Sequence, residues 1–508
     1  ALLTALTASA SAELKLPAIF GDHMVLQQKL ANPVWGWDEP ETQVTVSFNG
    51  QTKQATAGDD GKWTVKLDPV PANANPATIK ITGTSERTLT DVLVGEVWMC
   101  SGQSNMGWPV TGDWKFQVET LASNHPNLRL ISVPQVGTQE PQNDFNGKWE
   151  AATPKTCANF SAVGFYYGRY LHEILGVPVG LIDNAWGGSA AEAWIRRDTL
   201  DSAPQFTALA ADWKQREAGL TGPEAEAKHA TAVEKWKTAA AEAKAAGKRP
   251  PRAPRGPGGT LKGNQRPGNI FAGVVHPTLP YGIKGVIWYQ GESNAGRAHE
   301  YASLFPFMIE QWRKEWGQGD FPFYWVQLAD FRNETDTPGD DSWAELRESQ
   351  TKTLSLPNSG QAVIIDIGEA NDIHPKNKYD VAARLVRWAL NRDYGYENIE
   401  PQSPTYSSME IDGNKANLTF THVDNGLRTI DTNEVQGFAV CGEDKNWHWA
   451  TAKITAKNTI TVSSEAVGNP VAVRYAWATN PVCNVHSRNG LPLTPFRTDD
   501  FPLTTTRK

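Results

Sequence analysis

The chain has 508 residues, room for two to four domains at roughly 100–200 residues each. With 40% apolar and 20% charged residues it can bury a sizeable core, which excludes wholesale disorder; no run approaches the ~18–20 apolar residues that cross a bilayer. Lys plus Arg number 48 against 56 Asp plus Glu, a net charge of −8 without a dense basic patch, so no nucleic-acid partner is expected.

Residues 1–12 (ALLTALTASASA) are small and apolar and end in the A-x-A pattern Ala10-Ser11-Ala12. They read as the tail of a secretory signal cleaved after Ala12, against the alternative of a plain disordered terminus, and export to a periplasmic or extracellular space is expected. Residues 13–90 alternate polar and apolar positions, as in 43–48 (QVTVSF), 62–67 (KWTVKL) and 77–82 (ATIKIT), with Asn49-Gly50 as a hairpin signal. This is a small N-terminal β module.

The texture changes at Asp91. Near-continuous apolar runs at 92–100, 177–183, 283–289, 321–328 and 362–367 predict strands covered on both faces. Helical patterns at 163–174, 301–316, 343–354 and 379–391 lie between or after them, so residues 91–395 predict an α/β unit with a parallel sheet and crossover helices. Its ligand belongs beyond the carboxyl ends of the strands. Residues 202–269 interrupt the pattern: 224–246 predicts an exposed Ala/Glu/Lys helix, and 248–259 (KRPPRAPRGPGG) a mobile basic linker. They form either an insertion beside the cleft or a solvated excursion. From 396 to 508 alternation returns, as in 416–420, 454–462 and 471–476, predicting a C-terminal β segment.

The four cysteines are too few for a disulfide scaffold and lack metal-binding spacing. Cys441 and Cys483 share the C-terminal segment and could bridge in an exported protein, with Cys100 and Cys157 pairing with neither. Of the 20 Trp, about two thirds should serve packing, leaving some to stack on sugar faces.

The strand at 92–100 runs into Ser101-Gly102-Gln103-Ser104-Asn105-Met106. A small-residue turn between strand and helix can push the Ser104 hydroxyl into a cleft, with helix N–H groups beneath it for a developing oxyanion; alone, such a serine is more often an N-cap. After the second strand, Asn184-Ala185-Trp186-Gly187-Gly188-Ser189 offers paired glycines for close backbone approach, or a plain tight turn. After the third, Gln290-Gly291-Glu292-Ser293-Asn294 offers neutral donors at Gln290 and Asn294 and an orienting carboxylate at Glu292. After the fifth comes Asn371-Asp372-Ile373-His374-Pro375. A serine needs a base, and a carboxylate two residues from a histidine can hold the imidazole while its other nitrogen faces the serine.

In this order GQSNM, the Gly-Gly loop, WYQGES-N and D-I-H-P resemble the SGNH-hydrolase superfamily and, more closely, the sialate O-acetylesterase-type carbohydrate esterases. The resemblance runs from Glu13 to the C-terminus and includes WGWDEP around Trp35, GEVWMCSGQSNM and NAWGGS with the following AEAW. It implies an SGNH-hydrolase-like parallel sheet with helices on both faces, flanked by N- and C-terminal β-sandwich segments. Ser104 would be the nucleophile and His374 the base. The Ser104 N–H, a Gly187 or Gly188 N–H and a Gln290 or Asn294 amide would bind the oxyanion, with Gln103, Asn105 and Glu292 in support. The superfamily's acid stands three residues before the histidine; here that position is Asn371, and Asp372 is the nearest carboxylate, so Asp372, Asn371 and Glu292 all remain open as the third member. The implied function is removal of acetyl esters from carbohydrate through an acetyl-enzyme, with no metal or other cofactor and no membrane insertion. Hemicellulose is favoured over sialic acid because no arginine cluster for a sialic carboxylate is evident. A carbohydrate-binding protein with a vestigial esterase site is the alternative, and a lipase or arylesterase would need a long acyl groove that the sequence does not show.

Overall fold

The structure is a computed structural model and describes residues 13–507, so the leader-like residues 1–12 lie outside the described residues. The N-terminal strands are β1 (Val25–Gln27), β2 (Pro33–Trp37), β3 (Gln43–Phe48), β4 (Gln51–Thr56), β5 (Lys62–Lys66) and β6 (Asn73–Thr82). In β3 the alternation buries Val44, Val46 and Phe48 and leaves the residues between them wetter. Asn49 and Gly50, at φ 48° and 78°, turn the β3–β4 hairpin; two successive left-handed residues match the twist of the strands.

The change at Asp91 falls inside a single strand, β7 (Glu86–Gly102). Its first half pairs antiparallel with β6, and Leu93–Gly95 pair parallel with β1. Its second half is the centre of a parallel sheet. Asp91 itself sits at φ 53°, where its carboxylate accepts both Arg129 Nη1 at 2.7 Å and Nη2 at 3.1 Å. One strand therefore serves both sheets, with a kink rather than a linker between them.

The remaining strands of that sheet are β8 (His125–Ser132), β9 (Glu150–Ala152), β10 (Val179–Asp183), β11 (Gly285–Tyr289), β12 (Phe323–Val326) and β13 (Ser359–Ala362), in spatial order β13-β12-β11-β7-β10-β8-β9. All but the edge strand β9 run parallel. Alternate residues of β11 point to opposite faces: Val286 and Trp288 join the core containing helix Ala298–Trp316, whereas Ile287 and Tyr289 join that of helices Ala162–Leu175 and Lys378–Arg392. The helix ends follow from sequence. Ser161 caps the first of these through Gly164 N, Asp341 caps Ser342–Lys352 through Trp343 N and Ala344 N, and Gly176 and Gly317 close their helices in left-handed conformation. No described helix is long and apolar enough to cross a membrane.

Two expectations are corrected, and the excursion takes a definite course. The fifth strand ends at Ala362, and Val363 and Ile365 leave the sheet to pack into the C-terminal core. Within the excursion, helix Pro223–Ala245 forms as expected, and Trp236 Nε1 donates to Pro251 O of the basic linker at 2.7 Å. Cys441 and Cys483 do not bridge; all four thiols are free. Cys441 ends strand Phe438–Cys441, whereas Cys483 packs against Gly437, just before its start. Four residues of strand separate the two places, about 13 Å at ~3.3 Å per residue, beyond the ~7 Å Cα reach of a disulfide.

The C-terminal segment forms two four-stranded antiparallel sheets and a two-stranded ribbon. Leu418, Phe420 and Val462 of one sheet meet Val440, Val473 and Phe496 of the other in one core. Helix Ser342–Lys352 ties it to the α/β unit. Arg347, fully buried, donates to the carbonyls of Leu328, Ala329, Ala478 and Thr479, and Glu345 accepts the backbone and hydroxyl groups of Thr504 and Thr505.

Candidate active site

The carboxyl ends of β7, β10 and β11 and the loop after β13 converge on Ser104. Strand β7 reaches its end at Gly102, φ 130°, where a Cβ would lie 2.3 Å from the Tyr289 carbonyl oxygen; only glycine lets β7 and β11 close there. The chain then folds into a tight turn, with Met106 N and Gly107 N both donating to Gln103 O. No α-helix starts at this turn, so the helix N–H groups expected beneath the serine are not there. Free backbone donors come from the turn and its neighbour instead. Among the described residues the N–H groups of Ser104 and Gly187 have no acceptor. A Cβ on Gly187 would stand 3.3 Å from Ser104 Cβ, so the glycine brings its backbone against the serine. Gly188 lies against Asn264 instead.

His374 Nε2 is 2.8 Å from Ser104 Oγ, and its Nδ1 is 3.2 Å from Asp372 Oδ1. The two-residue spacing works because the loop turns back: Asp372 N donates to Glu369 O, and Asp372 Oδ1 also accepts the His374 backbone N–H at 2.9 Å. Asp372 Oδ2 takes Lys376 Nζ at 2.5 Å. That ammonium, with the His374 N–H, holds the Asp372 carboxyl down at about 2. The imidazole stacks on Trp108 at 4.8 Å and 18° between planes. Burial holds His374 below the ordinary histidine value; the Asp372 contact opposes the shift, and Lys378 and Lys376 add to it. A neutral imidazole between a serine hydroxyl and a carboxylate can accept the hydroxyl proton, the arrangement that activates serine for acyl transfer.

Other expected members are elsewhere or otherwise engaged. Gln290, fully buried, gives its amide protons to Ser189 O at 3.1 Å and Asn294 Oδ1 at 2.8 Å, and so has none for an oxyanion. Asn294, also buried, donates to Glu192 Oε2 and accepts from Ala191 N; the two amides brace the Gly-Gly loop from behind. Gln103 Oε1 accepts Gly291 N at 3.4 Å, joining the turn to the β11 loop. Glu292 meets Asn105, not His374, with Asn105 Nδ2 donating to Glu292 Oε1 at 2.6 Å. Among the described residues Asn371 forms no hydrogen bond with His374; it lines an open cleft with Phe331, Arg332, Thr479 and Asn480. Sequence reasoning missed Trp108 and the lysines Lys376 and Lys378. A lysine two residues past a histidine is a readable signal; the stacking of Trp108, four residues past Ser104, is not.

The chain as a whole is similar to known proteins. Residues 272–381 match the family model described as carbohydrate esterase, sialic acid-specific acetylesterase, and residues 406–500 match the sialate O-acetylesterase C-terminal domain. The structure of a carbohydrate acetylesterase from Xanthomonas citri is similar at a TM-score of 0.81, with 37% identity, covering 96% of this chain and 100% of that one. Sialate O-acetylesterases of Mus musculus and Homo sapiens are 29% and 27% identical, over 97% and 96% of this chain and 96% and 93% of theirs.

Proposed function

Because the chain belongs to the sialate O-acetylesterase-type carbohydrate esterases, we propose that it removes O-acetyl groups from carbohydrate through an acetyl-enzyme on Ser104, in an SGNH-hydrolase-like α/β unit flanked by β segments. Ser104 Oγ attacks the acetyl carbonyl as His374 Nε2 takes its proton. The Ser104 and Gly187 N–H groups receive the oxyanion. The imidazolium then protonates the departing sugar oxygen, leaving acetyl on Ser104. Water, deprotonated by the same imidazole, attacks the acetyl group, and collapse returns acetate and the serine hydroxyl. Asp372 holds the imidazole tautomer and stabilises its charged form.

The 2.8 Å contact between Ser104 Oγ and His374 Nε2 carries this reading. Acetate release from a panel of acetylated glycans tests it: Ser104→Ala and His374→Ala should each lose at least about a thousandfold in kcat with unchanged Tm. Retention of more than about a tenth of wild-type turnover by Ser104→Ala refutes it, and glycan binding without any acetate release points to a vestigial site. O-acetylated sialic acid belongs in the panel beside hemicellulose. The relatives' names point to it, and Arg332 is exposed on the Asn371 cleft without a carboxylate partner among the described residues.

A further inference from the structure

Every local rule disfavours a lysine at position 378. It is the first residue of helix Lys378–Arg392, where the helix dipole repels a cation. Its side chain is 0% exposed. Its ammonium has three protons and one hydrogen-bond acceptor, Asn105 Oδ1 at 2.5 Å, and forms no ion pair among the described residues. The rings of Tyr289 and Trp108 stand 5.1 and 6.0 Å away at their centroids. Breaches of local consistency of this kind concentrate at functional positions.

The acceptor indicates what the breach achieves. Asn105 follows Ser104 directly, and its Nδ2 gives one proton to Glu292 Oε1 at 2.6 Å and the other to the Ile373 carbonyl at 3.0 Å. Ile373 precedes His374, so this amide links the turn that carries the serine to the loop that carries the histidine. An asparagine amide can flip by half a turn. A cation at its oxygen and a carboxylate at its nitrogen allow one orientation only. Glu292 Oε2 is buried without a partner, so the carboxylate has no competing attachment there.

We propose that Lys378 is a positioning residue for the acyl transfer: together with Glu292 it locks the Asn105 amide, which holds the Ser104 turn against the His374 loop. The inference rests on the reading that Ser104 and His374 carry the reaction. It has an electrostatic corollary. The groups facing His374 are Asp372 on its own loop, Lys376 and Lys378 beyond it, Ser104 and Trp108 on the nucleophile turn, and Glu292 behind Asn105. Those facing Lys378 are Glu292, Lys376, Asp113 and Asp372. Burial brings the Lys378 ammonium down to about 7, so it is still charged over the acid range in which His374 titrates, where it opposes the imidazolium.

The test is steady-state kinetics of the full chain on 4-nitrophenyl acetate across pH, with Ser104→Ala in parallel. Lys378→Met should lower kcat at least about tenfold with KM within about threefold, and should move the acid limb of kcat/KM to higher pH. A kcat within about threefold of wild type, a loss confined to KM, or an unmoved acid limb each overturns the proposal. If Lys378→Met does not fold, Asn105→Asp replaces it. That variant keeps an acceptor for Lys378 but sets carboxylate oxygens against Glu292 and the Ile373 carbonyl. It must likewise lose about tenfold in kcat and raise the acid limb, or the proposal fails. Full activity in Ser104→Ala instead removes the active-site reading itself, whatever Lys378→Met does.

Discussion

Asp372→Asn isolates the charge of the third residue from its geometry. Asp372 Oδ1 accepts both the His374 backbone N–H and the ring Nδ1–H, and an asparagine Oδ1 can accept the same two bonds. What disappears is the negative charge 3.2 Å from the imidazole, together with the Lys376 contact on Oδ2. Two unit charges about 4 Å apart interact by about 1 kcal/mol in water and about 4 kcal/mol at an effective dielectric of 20. The Asp372 side chain is 40% exposed and shared with Lys376, which places the interaction between these limits, at about 2 kcal/mol, or ~30-fold in kcat. A buried triad aspartate, by contrast, is worth about 10⁴-fold. The assay is acetate release under saturation, with KM followed in parallel and Asn371→Ala and Glu292→Gln as comparisons. A loss under about tenfold, below about 1.4 kcal/mol of barrier, would mean that Asp372 does not support the imidazolium.

Lys376→Met should move the acid limb of kcat/KM upward, because a cation that opposes the imidazolium and occupies Asp372 is gone; a pH–rate profile checks it. Asp183→Asn should raise Tm at pH 8 and leave it unchanged near pH 4. Burial raises the Asp183 carboxyl to about 7, so the native state is destabilised progressively as pH rises from the unfolded value, ~3.9, through about 7. Calorimetry at the two pH values checks it: a lower Tm at pH 8, or an equal shift at both, refutes that reading. Thiol titration should find four free cysteines in denaturant and almost none in the native protein, with Tm indifferent to reductant, since three are buried and the fourth half-buried.

The strand ends could be read from sequence because a parallel sheet writes its core as apolar runs and its rim as the polar words after them. That put Ser104, Gly187 and the Asp372–His374 pair on one edge, and the structure brings these side by side. Gln290 and Asn294 were misread for a definite reason. An amide in a rim loop looks like a donor for substrate, and only the folded chain shows both Gln290 protons spent on Ser189 O and Asn294 Oδ1 and one Asn294 proton on Glu192. The fifth strand was placed too late because Val363 and Ile365 are as apolar as strand residues but serve a different core. Lys378 was passed over because a lysine at a helix start reads as solvated; burial depends on Asn105 and Tyr289, which are remote in sequence.

Strand β7 makes the N-terminal sheet something other than an accessory. Its first half is stitched to β6 and β1, its second to β10 and β11, and its last residue hands the chain to the serine turn. Cutting at residue 90 or 91 would strip Asp91 and Leu93 of their neighbours and open a long row of unpaired amides, an invitation to edge-on aggregation. Any rearrangement that peels β6 away pulls on the same rod that ends beside Ser104. For protein engineering the two sheets therefore count as one inheritable block: a graft of the esterase onto another scaffold must carry residues from about 14 onward, because Ile19 O accepts the buried Trp149 Nε1, and loosening agents that attack the N-terminal edge should extinguish turnover and that sheet's amide protection in step.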